Sequence, residues 1–307
     1  MKGRVIKSTG SWYSVLLENE DVVNCRLRGK FKLDKQKVTN PVTVGDWVEI
    51  LVEPSSDTEY IITDIYPRDN YIIRKSPKKM AYGHLLASNI DLAVLVASVV
   101  YPKTSTGFID RFLVTAEAYR IPSLILFNKK DLWDEEARSF VEEMVNTYKS
   151  IGYSSLIMSS FNDVDIQKLR EVLHGKTSLF SGHSGVGKST LLNKLTGNIT
   201  QKTQEVSDFA NKGVHTTTFA EMFEIEKNTF VIDTPGIKEL ALAEIEEEEL
   251  SHYFPEMREL IGQCKYHNCT HTHEPGCAIV EALNNGKVPA SRYNSYLSMY
   301  DDEDNRR

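Results

Sequence analysis

Nine residues, Gly182-His183-Ser184-Gly185-Val186-Gly187-Lys188-Ser189-Thr190, constrain the fold more than any other stretch of this 307-residue chain. The pattern G-x-x-x-x-G-K-[ST] works as a turn between a strand and a helix. Its glycines let backbone N–H groups point inward at an anion. The lysine reaches the outer phosphate oxygens, and the hydroxyl beside it can ligate a divalent cation. The flanks supply that context: the apolar "TSLF" and Ser181 precede the loop, and "TLLNKL", with helical spacing, follows it. A plain glycine-rich turn has no need of this combination.

Three other apolar runs end in loops with matching chemistry. "SLILF" leads into Asn128-Lys129-Lys130-Asp131. A carboxylate at Asp131 can accept from guanine N1–H and the exocyclic amine; adenine lacks both donors, so it would leave a buried carboxylate unpaired. "SLIM" leads into Ser159-Ser160, a second wall for a base. "TFVI" leads into Asp233-Thr234-Pro235-Gly236, where Asp233 suits Mg²⁺ and the Gly236 N–H a γ-phosphate. Ligands of open α/β sheets bind beyond the carboxyl ends of the strands, so four such loops predict one nucleotide site.

Their order is unusual. A GTPase normally runs phosphate loop, switch I, Asp-x-x-Gly, Asn-Lys-x-Asp, Ser-Ala loop. Here Asn-Lys-x-Asp and Ser-Ser come first and Asp-x-x-Gly last. That is a circular permutation, tolerated because domain termini tend to be superficial and close together. Between the phosphate loop and Asp233 lies "GVHTTTFAEMF". Thr216, Thr217 and Thr218 are candidates to complete the Mg²⁺ shell, with Thr217 preferred, alongside Ser189 and Asp233. Ile237 occupies the place where Ras-type enzymes carry a water-orienting glutamine, and an aliphatic chain cannot orient water. His215 is the nearest replacement, since imidazole can polarise water near neutral pH.

Around this centre the chain divides into three. Residues 1–70 read as short strands punctuated by Gly, Asp and Asn, predicting a small barrel, with an OB-fold ahead of an SH3-like one. "RKSPKKM" at 74–80 reads as a basic linker. Apolar strand-like runs alternating with helical ones predict an α/β domain over 71–243. Acidic "EIEEEELSHYF" then leads into a mostly helical unit, 244–307. Net charge is −7, yet residues 1–80 hold 14 Lys and Arg against 11 Asp and Glu, a net of +3, leaving −10 for the rest. The run 25–37 has six basic residues and one acid, and by itself reads as a solvated loop. No run of about 18 apolar residues could span a bilayer, and the N-terminus lacks a secretory apolar core, so a cytoplasmic protein is expected.

The C-terminal unit contains "CKYHNCTHTHEPGC". Cys264, Cys269 and Cys277 with one imidazole make a closed tetrahedral zinc site of the structural kind. Spacing alone leaves His267, His271 and His273 as alternatives for the fourth ligand. Cys25, remote from these, reads as a packed apolar residue.

The permuted order, "GHSGVGKST", "GVHTTT", "DTPG", the barrel-like front and the Cys/His cluster together resemble the RsgA (YjeQ/YloQ) family of small-ribosomal-subunit-dependent GTPases, over essentially the whole chain. The resemblance implies an OB-fold, a permuted GTPase domain and a C-terminal zinc domain. It also implies GTP hydrolysis stimulated by the small subunit, late 30S assembly and contact with 16S rRNA, to which the basic run 26–37 would contribute. By position, it makes Cys264, Cys269, His271 and Cys277 the zinc ligands and His215 the catalytic histidine. Ser160 departs from the family's alanine.

Overall fold

The computed structural model describes residues 1–28, 40–53, 60–75, 83–197, 220–233 and 244–301. They form two compact units: Met1–Ala93, Ser160–Ser181 and Lys188–Glu239 in the first; Val94–Ser159, Gly182–Gly187 and Leu240–Arg307 in the second.

The first unit begins with a closed five-stranded barrel: β1 (Lys2–Ser8), β2 (Tyr13–Leu17), β3 (Val22–Leu27), β4 (Trp47–Val52) and β5 (Tyr60–Ile65). Strand order is β1-β2-β3-β5-β4, with β4 returning to β1 and β3 parallel to β5. Alternation drives it: Val5, Tyr13, Val15, Cys25, Val48, Ile50 and Ile62 all face one closed core. Cys25 is buried there, and burial pushes its thiol up to about 12, as suits a packed residue.

A hairpin follows, β6 (Tyr71–Lys75) against β7 (Gly83–Ser88). The linker expected from residue 74 therefore begins inside a strand, because the partner that pairs with 71–75 lies beyond the linker in sequence. Thr43 donates to the Leu85 carbonyl and Ser88 to Asp46, fastening the hairpin to the barrel. Asp46, wholly buried, also receives the fork of Arg68 at 2.6 and 2.7 Å.

The barrel does not end at its own edge. β1 pairs with β12 (Glu221–Glu226), which pairs antiparallel with β13 (Thr229–Asp233), which is parallel to β11 (Thr177–Ser181). Lys7 meets Glu221 at 3.0 Å across that junction. Beside it Arg4 lies buried between the rings of Trp47 and Phe230, at 5.3 and 5.0 Å. Burial pulls its pKa down to about 10, with Asp91 opposing. Helices α3 (Asp163–Leu173) and α4 (Lys188–Thr196) complete this unit, and Arg170 of α3 caps the Lys194 and Leu195 carbonyls of α4.

In the second unit the order is β10 (Ser154–Ile157), β9 (Ser123–Phe127), then the end of β8 (Leu92–Ala97). Strands β8 and β9 are buried almost end to end, as parallel strands covered on both faces must be. Helix α1 (Thr106–Ala118) starts at a Ser105 cap, and α2 (Glu135–Ser150) at an Asp134 cap. On α2, Val141, Met144 and Tyr148 form the one buried stripe.

The C-terminal segment is helical, as expected: a 3₁₀ stretch at Glu247–Tyr253, then α5 (Pro255–Arg258), α6 (Ala278–Asn284) and α7 (Ala290–Tyr300). It shares its core with α1, since Val114 packs among Leu250, Phe254, Met257 and Tyr296. Asp110 of α1, itself buried, accepts from Arg292 at 2.7 Å, from Tyr148 at 2.8 Å and from Ser295. Arg292 also donates to Glu256 at 2.7 Å. Burial disfavours the Arg292 charge, but the two carboxylates reverse this and raise its pKa.

Candidate functional site

The phosphate loop lies where its pattern required, between β11 and α4. Gly182 is forced: a Cβ there would stand 2.5 Å from the Val96 carbonyl oxygen. Gly185 adopts φ +85° against Pro102, a conformation that L side chains avoid. Val186 anchors the loop in the interior, fully buried.

The Asn128-Lys129-Lys130-Asp131 motif comes to the same loop. Asn128, 1% exposed at the end of β9, donates from Nδ2 to the Val186 carbonyl at 2.9 Å. Two motifs 58 residues apart in sequence are thus joined by one buried hydrogen bond. Lys129 takes a left-handed φ of 68°, and its ammonium is held by the Tyr101 carbonyl. Lys130–Leu132 form a single 3₁₀ turn, tied by Lys130 N–H to the Met158 carbonyl at 3.2 Å. That bond brings the start of the Ser159-Ser160 loop beside the motif, with both serines buried. Asp131 is exposed.

In the first unit Lys188 opens α4, and its ammonium is ion-paired with Asp233 at the end of β13. Ser189 is exposed and Thr190 half-buried on the same first turn, while Ser184 is exposed on the loop. Ser181, the last residue of β11, is 1% exposed. His183 is half-buried, its ring lying 3.7 Å from that of Phe108 between centroids. His215, Thr217 with its neighbours Thr216 and Thr218, Gly236 and Ile237 lie outside the described residues.

The second centre is a cluster of side chains that could hold a metal ion. The ligand atoms of Cys264, Cys269, His271 and Cys277 all lie within 4.8 Å of one another. His271 Nδ1 is 3.6 Å from Cys264 Sγ and 3.5 Å from Cys277 Sγ. A tetrahedral zinc with bonds of about 2.0–2.3 Å places its ligands roughly 3.5–3.8 Å apart, so the four residues fit that ion. Among the three histidines left open by spacing, the fold brings in His271. His273 turns to Thr272 instead, at 2.8 Å.

The surrounding bonds hold this arrangement. His271 sits at φ +61°, and its carbonyl accepts from Tyr293 at 2.7 Å, while Tyr296 donates to the Thr270 carbonyl at 2.7 Å. Burial lowers the His271 pKa, favouring the neutral ring that a metal needs. Burial pushes the Cys269 thiol up to about 12, which a bound cation would reverse. Desolvation opposes ionisation of Glu274, but hydrogen bonds from Thr270 and from the backbone N–H groups hold it well below the usual carboxylate range. That carboxylate thereby fixes the turn between His271 and Cys277.

A phosphate loop preceded in the chain by its guanine reader, on a parallel sheet, defines a circularly permuted P-loop GTPase. The RsgA GTPase family model matches residues 65–243, and the RsgA N-terminal domain model residues 2–61. The chain belongs to the RsgA GTPase family. A Cytophaga hutchinsonii protein named small ribosomal subunit biogenesis GTPase RsgA is 50% identical over 307 residues, covering 100% of both chains. The solved structure of YjeQ from Thermotoga maritima is 33% identical, with a TM-score of 0.78 over 97% of this chain and 96% of its own. That of YloQ, a circularly permuted GTPase, is 32% identical, with a TM-score of 0.76 over 97% of this chain and 93% of its own.

Proposed function

We propose that this chain is a GTP hydrolase acting in late maturation of the small (30S) ribosomal subunit, with turnover stimulated by that subunit. The observation that carries the reading is the buried Asn128–Val186 bond, which joins the guanine reader to the phosphate loop in a chain matching its named relatives over its full length. In this reading Asn128, Lys129, Lys130 and Asp131 with Ser159 and Ser160 hold the base. Ser181 through Thr190 wrap the phosphates, Lys188 faces the β and γ oxygens, and the Gly236 N–H meets the γ-phosphate. Ser189, Thr217 and Asp233 hold Mg²⁺, which when bound neutralises charge developing on the phosphate oxygens. His215 holds and polarises the attacking water in place of the missing glutamine.

The cluster at Cys264, Cys269, His271 and Cys277 holds one structural zinc. The domains run 1–70, 71–243 and 244–307, the first an OB-fold that contacts 16S rRNA. The protein works as a cytoplasmic monomer with GTP or GDP bound and no membrane association. No helix among the described residues is long and apolar enough to cross a membrane. A second reading, a GTP-sensing, ribosome-binding module with incidental hydrolysis, draws support from Ile237. Turnover of GTP with and without purified small subunits separates the two: stimulation supports the hydrolase, and an unchanged slow rate supports the sensor.

A further inference from the structure

We infer that Phe108 and His183 act as a positioning pair for nucleotide binding, the phenyl ring of α1 holding the phosphate loop in the shape that accepts phosphates. This rests on reading 182–187 as a phosphate loop. The two rings lie 3.7 Å apart between centroids and are inclined by 32°. His183 fills the first variable position of the motif, where the pattern itself demands no particular side chain.

The rest of the loop is braced by close glycine contacts, by the buried Val186 side chain and by one hydrogen bond to its backbone. Gly182 abuts the Val96 carbonyl, Gly185 abuts Pro102, and the Val186 carbonyl accepts from Asn128. Among these described braces the His183 ring is the one made by a loop side chain reaching outward. It grips a helix that is itself held. Ser105 caps α1 by accepting from the Phe108 N–H, and two residues on Asp110 accepts from Arg292, Tyr148 and Ser295. Phe108 is therefore presented from a turn fixed at both sides.

Three glycines make the empty loop conformationally free, and ordering it opposes binding. A side chain that locks the loop beforehand removes part of that cost. An aromatic pair of this kind is worth about two- to twelvefold in an equilibrium constant. Both rings border a cleft of about 620 Å³ between α1 and α7, so replacing them opens no cavity in a core.

The test is equilibrium binding of fluorescent GDP and GTP to the full-length protein and to Phe108→Leu, His183→Ala and the double variant. Each single change should raise Kd about three- to tenfold, and the double change no more than the worse single one. His183→Phe, which restores a ring, should return Kd to within about twofold of wild type. Unchanged affinity in the single variants, strictly additive losses in the double one, or failure of His183→Phe to rescue would each overturn the inference. Lys188→Ala distinguishes its basis: retained nucleotide binding there would remove the phosphate-loop reading itself. Should Phe108→Leu lower the melting temperature, the His183→Ala and His183→Phe comparison decides alone, because neither alters a helix.

Discussion

Asp131 stands exposed on a one-turn 3₁₀ segment, while Asn128, three residues earlier, is buried and spent on the Val186 carbonyl. In the proposed site Asn128 braces the loop as well as bordering the base, and Asp131 reads the base. Asp131→Asn should then weaken GTP binding by about 10²-fold or more and shift preference toward xanthine nucleotides, whose extra carbonyl suits an amide donor. Competition binding with GTP and XTP measures this, and unchanged GTP affinity would remove Asp131 from the base site. Asp110 makes the opposite case, a carboxylate wholly occupied inside the protein. Asp110→Ala would leave Arg292, 1% exposed, with Glu256 as its remaining carboxylate. Breaking a buried pair from one side costs about 3–5 kcal/mol, which a denaturant titration would register. His215 belongs to the same scale. His215→Ala should keep GTP affinity yet lose about 10²–10⁴-fold of subunit-stimulated turnover.

Among the elements, the loop from Cys264 to Cys277 is the one that the proposed zinc would hold. It has little apolar surface, and its turns are set by Glu274 and by the hydroxyls of Tyr293 and Tyr296 on α7. Zinc analysis should find one ion per chain in wild type. His271→Ala should reduce that occupancy, whereas His267→Ala and His273→Ala should retain it. Loss of zinc in either of the latter, with full occupancy in His271→Ala, would reassign the ligand. Because α7 carries both the tyrosines below the cluster and Arg292, chelation should also lower the melting temperature of the whole C-terminal segment. Strand β12 shows how an element escapes a local reading. "EMFEIE" is not among the continuous apolar runs that mark the parallel strands in the sequence. It is a strand because β13 pairs with it on one side and β1 of the barrel on the other.

At the scale of the molecule the net charge is −7, while residues 1–80 carry +3, a surplus supplied by Arg74, Lys75, Lys78 and Lys79 just beyond the barrel. On the barrel surface Arg26 lies over the ring of Trp12 at 4.0 Å, a cation beside an exposed aromatic. Such pairs favour single-stranded nucleic acid by stacking and phosphate attraction together. Arg26→Ala combined with Arg28→Ala should weaken binding to small subunits and flatten its salt dependence, by about one unit of slope for each phosphate that is no longer neutralised. A salt slope identical to wild type would remove Arg26 and Arg28 from the proposed rRNA contact.

The chemistry of this chain is written locally, and so the sequence by itself determined it. A phosphate loop, a guanine reader and a cysteine cluster each need particular residue types at short fixed spacings, and their order revealed the permutation. The parallel strands were legible for a similar reason, since strands buried on both faces become continuous apolar runs. Contacts made over long sequence separations were not legible. Spacing left three histidines for one zinc position, and the path of the chain around α7 decided for His271. The hairpin at 71–75 and 83–88 needed a partner across the linker, and β12 needed the barrel. The C-terminal segment reads as self-contained, yet it shares its core with α1 and ends on Asp110, 182 residues before Arg292. A buried charge must find its counter-charge wherever the fold supplies one, and that search is settled in three dimensions.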